Sequence, residues 1–163
     1  MIYKNEKLSK YSWFNLGGPA EVFFKPNSID DLKNFLLKSK NKKDKIFILG
    51  AGSNTLFRDA GFDGIIIKLG KAFTETKLLE NNKIEVGAAT LDKKLSDFAY
   101  QNSLSGLEFL SCIPGSIGGA ITMNSGCYDS DISKIFVSLK AINLSGEIKS
   151  FTKDEVKFFY RGN

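Results

Sequence analysis

Apolar residues in this chain fall in short runs, and the spacing within each run names the element. Glu21–Lys25, carrying Val22, Phe23 and Phe24 together, predicts a short strand. Leu32, Phe35 and Leu36 then recur at helical spacing. Ser28 precedes them as an N-cap, with Asp30 and Asp31 in the first turn, where carboxylates meet the positive end of a helix. Ile46–Leu49 is an unbroken apolar run leading into a glycine-rich turn and predicts a short buried strand, and Ile65–Leu69, apolar but for Lys68 and following Gly61–Gly64, predicts another strand. The order strand, helix, strand, loop, strand suits a small βαβ unit.

The second half has a different rhythm. Lys83–Val86 predicts a strand that enters Gly87-Ala88-Ala89. Thr90 is placed to cap a helix with Leu91, Leu95, Phe98 and Ala99 on one face. Lys134–Leu144 predicts one long strand, Ser145-Gly146 a hairpin turn, and Glu147–Phe151 its partner. Thr152-Lys153-Asp154-Glu155 matches a capping box opening a short helix. Between the halves, Lys71–Lys77 is mostly polar and aperiodic. The expected organisation is a small α/β domain over residues 1–70 and a larger α+β domain over 71–163, α+β in all.

Two stretches depart from the alternation of elements and turns. Between Ser111 and Gly126 lie four glycines, a proline and three serines, yet Ile113, Ile117, Ile121 and Met123 keep the stretch apolar. Flexible linkers lack that apolar content. A loop with buried side chains and a bare backbone suits the cradling of an anion such as a phosphate by peptide N–H groups. The second stretch, Gly50-Ala51-Gly52-Ser53-Asn54, follows directly on Ile46–Leu49. Small residues just past a strand end are where open α/β sheets bind nucleotides. Neither stretch has the third glycine of a Rossmann fingerprint or the Gly-Lys-Ser/Thr of a P-loop. Taken alone, the first is also compatible with a packed Ω-loop and the second with a plain tight turn.

Composition narrows the chemistry. The chain has 163 residues and no histidine. That excludes a histidine-based nucleophilic triad, flavin attachment through histidine and most zinc sites, and no metal is expected. Chemistry must then come from a cofactor, carboxylates, hydroxyls or arginine. The net charge is +5. Much of it lies on the lysine-rich stretch Lys38–Lys45, which has no interleaved aromatics for base stacking and reads as a solvated helix end, so no nucleic acid is expected. No apolar run approaches a membrane span, and the first residues lack a secretory h-region. A cytoplasmic protein without a membrane partner is expected. Its two cysteines, Cys112 and Cys127, are expected to be free thiols in a reducing compartment. Trp13 and Phe14 read as core residues.

Six segments taken together are more specific than any one. Tyr11–Glu21, Gly50–Leu56, Gly106–Phe109, Ile113–Ala120, Met123–Gly126 and Tyr160-Arg161 occur in the order found in the UDP-N-acetylenolpyruvoylglucosamine reductase (UDP-N-acetylmuramate dehydrogenase) family, which the chain resembles. The resemblance implies an FAD-binding fold of the vanillyl-alcohol-oxidase type. Its two domains would hold non-covalent FAD between them, and a C-terminal substrate domain would be absent from this chain. It further implies that Gly50, Ala51, Gly52, Ser53 and Asn54, with Pro114, Gly115, Ser116, Gly118, Gly119 and Ala120, carry the pyrophosphate and flank the flavin. NADPH is the implied hydride donor and UDP-N-acetylglucosamine enolpyruvate the implied small-molecule substrate, handled by a monomer. Arg161 is the implied catalytic residue, its fork suited to the substrate carboxylate, with Tyr160 positioning it. A non-catalytic FAD- or nucleotide-binding module, or a decayed fragment, is the alternative.

Overall fold

The structure, a computed structural model, describes residues 1–39 and 45–163. Most of the lysine-rich stretch Lys38–Lys45 therefore lies outside the described residues. The chain divides into two compact units, Met1–Ala72 with Ile142–Lys149, and Phe73–Ala141 with Ser150–Asn163.

The first unit is built on a four-stranded sheet. Strands β1 (Ile2–Lys7), β2 (Pro19–Phe24), β3 (Ile46–Ile48) and β4 (Phe62–Ile67) lie in the order β1-β2-β4-β3. β1 pairs antiparallel with β2, whereas β4 runs parallel to both β2 and β3. Ile65, Ile66 and Ile67 of β4 are all buried because this central strand is covered on both faces. Alternation splits them. Ile66 joins Leu8, Ala20, Phe23, Leu49 and Phe57 in one cluster. On β2 the neighbouring Phe24 stacks instead on Phe35 of helix α1 (Ile29–Lys38), their ring centroids 3.8 Å apart. Helix α1 starts where expected, the Ser28 hydroxyl accepting from Asp31 N at 3.1 Å. Strand β1 was not legible in the sequence. Its side chains are mostly exposed and three are lysine or glutamate, a composition that suits an edge strand and gives no alternation.

The second unit packs Leu95, Phe109, Leu110, Ile117, Ala120, Ile132 and Phe136 into one core. Its elements are the hairpin β5 (Thr76–Leu79) and β6 (Lys83–Val86), helix α2 (Asp92–Gln101), a 3-10 helix over Glu108–Cys112, and helix α3 (Ile117–Thr122). There follow the tight hairpin β7 (Gly126–Cys127) and β8 (Ser130–Asp131), helix α4 (Ile132–Ile135), and strands β9 (Ser138–Ile142) and β10 (Ile148–Thr152), of which Ile142, Ile148 and Lys149 belong to the first unit. The β5–β6 turn uses Asn81 and Asn82, both at positive φ. The capping box Thr152–Glu155 is present and opens a single 3-10 turn.

Five local expectations need correction. Ile46–Ile48 is not a buried strand: β3 is the edge of the sheet, with Phe47 and Ile48 exposed and only Leu49 beyond it buried. Lys134–Leu144 is not one strand: Ile132 and Phe136, four residues apart, are both buried, so the chain makes a helical turn before β9 begins at Ser138. Thr90 does not cap α2. Leu91 holds the N-cap position and is exposed, and the buried stripe begins at Asp92. Thr76–Leu79, within and beyond the polar stretch, is a strand because Lys83–Val86 pairs with it. Trp13 and Phe14 are not core residues, being 61% and 53% exposed.

Candidate functional site

The first candidate segment begins where β3 ends. Leu49 continues the sheet, donating to Ile67 O at 2.8 Å, and the chain then leaves it. Gly52 sits at φ +79°, and a Cβ there would lie 1.9 Å from Tyr11 O. Glycine at this position is thus required by the chain itself. The segment is pinned from that side, Trp13 N donating to Gly52 O at 3.0 Å and the buried Ser12 hydroxyl to Thr55 O at 2.8 Å. The donors from Gly50 to Asn54 are left over: among the described residues, none of these backbone N–H groups donates within the chain. Unpaired successive N–H groups on a fixed turn form an anion nest. Lys68, at the end of β4, donates its Nζ to Gly50 O. Burial holds its pKa below the ordinary lysine value, and its charge stands beside the nest. Lys68 was missed in the sequence, since only the pairing of β3 with β4 brings it there.

The second candidate segment is a short helix with its lead-in, where the sequence suggests a loop throughout. Pro114 and Gly115 lead in, Ser116 is the N-cap in extended backbone, and Gly118, Gly119 and Ala120 lie within α3. The lead-in is zipped to residues before α2. Asp92 N donates to Gly115 O, Ile117 N to Thr90 O, and Gly118 N to Ala88 O. The N–H groups of Gly115, Ser116 and Gly119 find no acceptor among the described residues. None of these glycines has a positive φ, so the conformational freedom expected of them is not what selects them. A Cβ on Gly115 would lie 2.3 Å from Asp92 Oδ2, and one on Gly118 3.2 Å from Ala88 Cβ. Gly119 differs: its Cβ would meet only Ser116 Oγ, at an ordinary 3.6 Å. Nothing inside the chain requires glycine there. Ser116 and Ala120 are buried, so they can present backbone but little side chain to a ligand.

Beneath this segment lies an unusual acid. Asp92 is fully buried, and neither carboxylate oxygen has a hydrogen-bond partner; the buried Thr90 hydroxyl is likewise unpartnered. Burial pushes the Asp92 carboxyl up to about 7. A carboxylate without partners favours its neutral form in such surroundings.

Tyr160 and Arg161 occupy the tip of a turn closed by Phe159 and Gly162. Both are exposed, and the Arg161 guanidinium lies over the Tyr160 ring, 5.5 Å from its centroid. Two asparagines fasten this turn to the helix. Asn163 Nδ2 donates to Ile121 O at 2.8 Å, and Asn124 Nδ2 to Phe159 O at 3.3 Å. Asn124 Oδ1 also accepts from Ser133 N at 3.0 Å. The structure thus brings Arg161 and Tyr160 to the end of α3, within one unit. The clamp at Asn124 was not legible, because its partners are 9 and 35 residues away in sequence.

Known proteins resemble this chain in sequence and in fold. The FAD binding domain family model matches residues 20–152. A UDP-N-acetylenolpyruvoylglucosamine reductase of Pelagibacter ubique is 49% identical over 156 residues, covering 96% of this chain and 51% of that protein. One from Rickettsia massiliae is 44% identical over 160 residues, covering 98% and 54%. The chain therefore spans about half the length of the curated relatives it matches. Among solved structures, the reductase of the same name from Thermus caldophilus superposes with a TM-score of 0.84 at 28% identity, over 99% of this chain and 57% of that one. The 6-hydroxy-D-nicotine oxidase of Arthrobacter nicotinovorans, at 12% identity, TM-score 0.68, and coverage of 95% and 36%, shares the fold alone. The fold is the α+β FAD-binding fold of vanillyl-alcohol-oxidase-type flavoproteins.

Proposed function

We infer, from the premise that this chain belongs to the FAD binding domain family, that it is the flavin-holding part of an NADPH-dependent reductase. The proposed reaction converts UDP-N-acetylglucosamine enolpyruvate to UDP-N-acetylmuramate, a step of peptidoglycan precursor synthesis that serves cell-wall growth, cell shape and division. The protein would act as a cytoplasmic monomer on this small-molecule substrate. Among the described residues, no helix is long and apolar enough to cross a membrane.

The observation that carries the reading is the set of unpaired backbone donors on Gly50–Asn54, Gly115, Ser116 and Gly119, with the open side of Gly119. These fit a pyrophosphate and a flat ring system. The N–H groups of Gly50, Ala51, Gly52, Ser53 and Asn54 would receive phosphate oxygens, with Lys68 adding charge. Pro114, Gly115, Ser116, Gly118, Gly119 and Ala120 would meet the flavin end through backbone, Gly119 allowing the closest approach. When bound, FAD supplies hydride transfer from NADPH to the carbon–carbon double bond of the substrate.

The chain's own residues then orient and stabilise. Arg161 would grip the substrate carboxylate in a two-point contact and favour charge that develops on it in the transition state. Tyr160, packed against the guanidinium, limits where that fork points.

A chimera joining this chain to the remainder of the Pelagibacter ubique relative tests the reaction. It should reduce the enolpyruvyl substrate with NADPH. Arg161→Lys should cut substrate turnover by on the order of tenfold or more while leaving flavin reduction by NADPH nearly unchanged. Equal loss in both half-reactions would contradict the carboxylate role.

A further inference from the structure

We propose that Cys112 and Cys127 form a redox pair that closes to an intramolecular disulfide when the protein meets a peroxide. The two residues flank the Pro114–Ala120 segment, Cys112 as the last residue of the 3-10 helix and Cys127 as the last residue of β7. Both are free thiols. The tertiary structure brings them together. The Cys127 sulfur donates to Phe109 O at 3.2 Å, a carbonyl on the same 3-10 helix that carries Cys112. Phe109 and Cys112 are three residues apart in that 3-10 helix, one full turn, so the Cys127 sulfur is held on the turn that ends at Cys112. Neither side is loose: Cys127 sits in a hairpin whose turn residues, Tyr128 and Asp129, are both at positive φ, the geometry of a tight two-residue turn.

The pair is asymmetric, as sensor and resolving thiols are. Cys112 is exposed, whereas Cys127 is partly covered. Burial, and then the neighbouring Cys112 sulfur, push the Cys127 thiol above its usual pKa. The solvent-facing Cys112 therefore meets the oxidant first. Its thiolate attacks one peroxide oxygen; the S–O bond forms, the O–O bond breaks, and the departing oxygen takes protons and leaves as water. Cys112 is then a sulfenic acid. Cys127 attacks that sulfur, giving its proton to the departing hydroxyl; the S–S bond forms, the S–O bond breaks, and a second water leaves. The two sulfurs lose two electrons in all and the peroxide gains them. A thiol reductant reverses the change.

The bridge would enclose α3 and its lead-in in a covalent ring. Its formation is independent of the flavin reading, because it needs only the two thiols and the peroxide. The test treats the purified chain with hydrogen peroxide, blocks remaining thiols with N-ethylmaleimide under denaturing conditions and weighs it intact. The expected product is monomeric, lighter than the reduced chain by two hydrogens, without maleimide, and restored to two maleimides by dithiothreitol. Cys127→Ser should instead trap a sulfenic acid at Cys112 that reacts with dimedone. Cys112→Ser should keep its one thiol free. Two maleimides after peroxide, or disulfides only between chains, would overturn the proposal.

Discussion

Asp92 shows how one residue can carry a cost that its neighbours impose. Its carboxyl is dry and unpartnered, and in the folded chain it titrates near about 7. In the unfolded chain an aspartate titrates near about 3.9. Between those values the folded state holds a proton that the unfolded state has lost. Asp92's contribution to stability is therefore fully present below about pH 4, falls as pH rises towards about 7, and is level above that. The loss is on the order of a few kcal/mol. Denaturant unfolding at pH 5 and pH 8 should show it in the wild type, and Asp92→Asn should flatten the difference. An unchanged pH dependence in the variant would place the effect elsewhere. Gly119 carries the opposite lesson. A Cβ there meets no atom closer than 3.6 Å, and α3 keeps an ordinary backbone. Gly119→Val should leave stability within about 0.5 kcal/mol, since the helix propensities of glycine and valine differ little. Flavin retention should nevertheless be lost. Calorimetry and flavin absorbance on the same sample separate the two effects, and full retention would show that no ligand approaches this backbone.

At the scale of elements, what the sequence revealed followed local periodicity. Strands β2, β3, β4 and β6, and helices α1 and α2, were legible because their apolar spacing is local, as is the Ser28 cap of α1. Strands β1 and β5 were not, because their partners rather than their own patterns define them. The short helix α4 was hidden in an apolar run that satisfies a strand and a helical turn equally, and only the joint burial of Ile132 and Phe136 decides between them. The two candidate segments were legible as glycine-rich interruptions. Their reasons for glycine were not, since Gly52 answers to Tyr11, Gly115 to Asp92 and Gly118 to Ala88. The same holds for the turn at Tyr160 and Arg161, whose anchor is Asn124. Asn124→Ala removes two hydrogen bonds there and should cost roughly 1–3 kcal/mol, chiefly by leaving Ser133 N without its acceptor, since Phe159 O keeps the Gly162 N–H. In the chimera it should also raise KM for the substrate, through Arg161, more than it changes NADPH oxidation by flavin. A KM at the wild-type value would release Asn124 from that role.

At the scale of the whole molecule, the proposed function has bare backbone on two separate stretches of chain hold FAD. Gly50–Asn54 lies in the first unit and Pro114–Ala120 in the second. A ligand that binds only the folded chain stabilises it in proportion to the logarithm of its concentration over Kd, so the flavin should raise the melting temperature as it is added. Lys68→Met should weaken that effect without abolishing it, because the lysine adds charge beside donors that remain. The most direct measurement is the visible absorption spectrum of the purified chain after gel filtration with excess FAD. The protein should be yellow and carry about one FAD per chain, released unmodified on denaturation because the binding is non-covalent. Colourless protein, with all the FAD eluting apart from it, would contradict the claim that these segments are an FAD site.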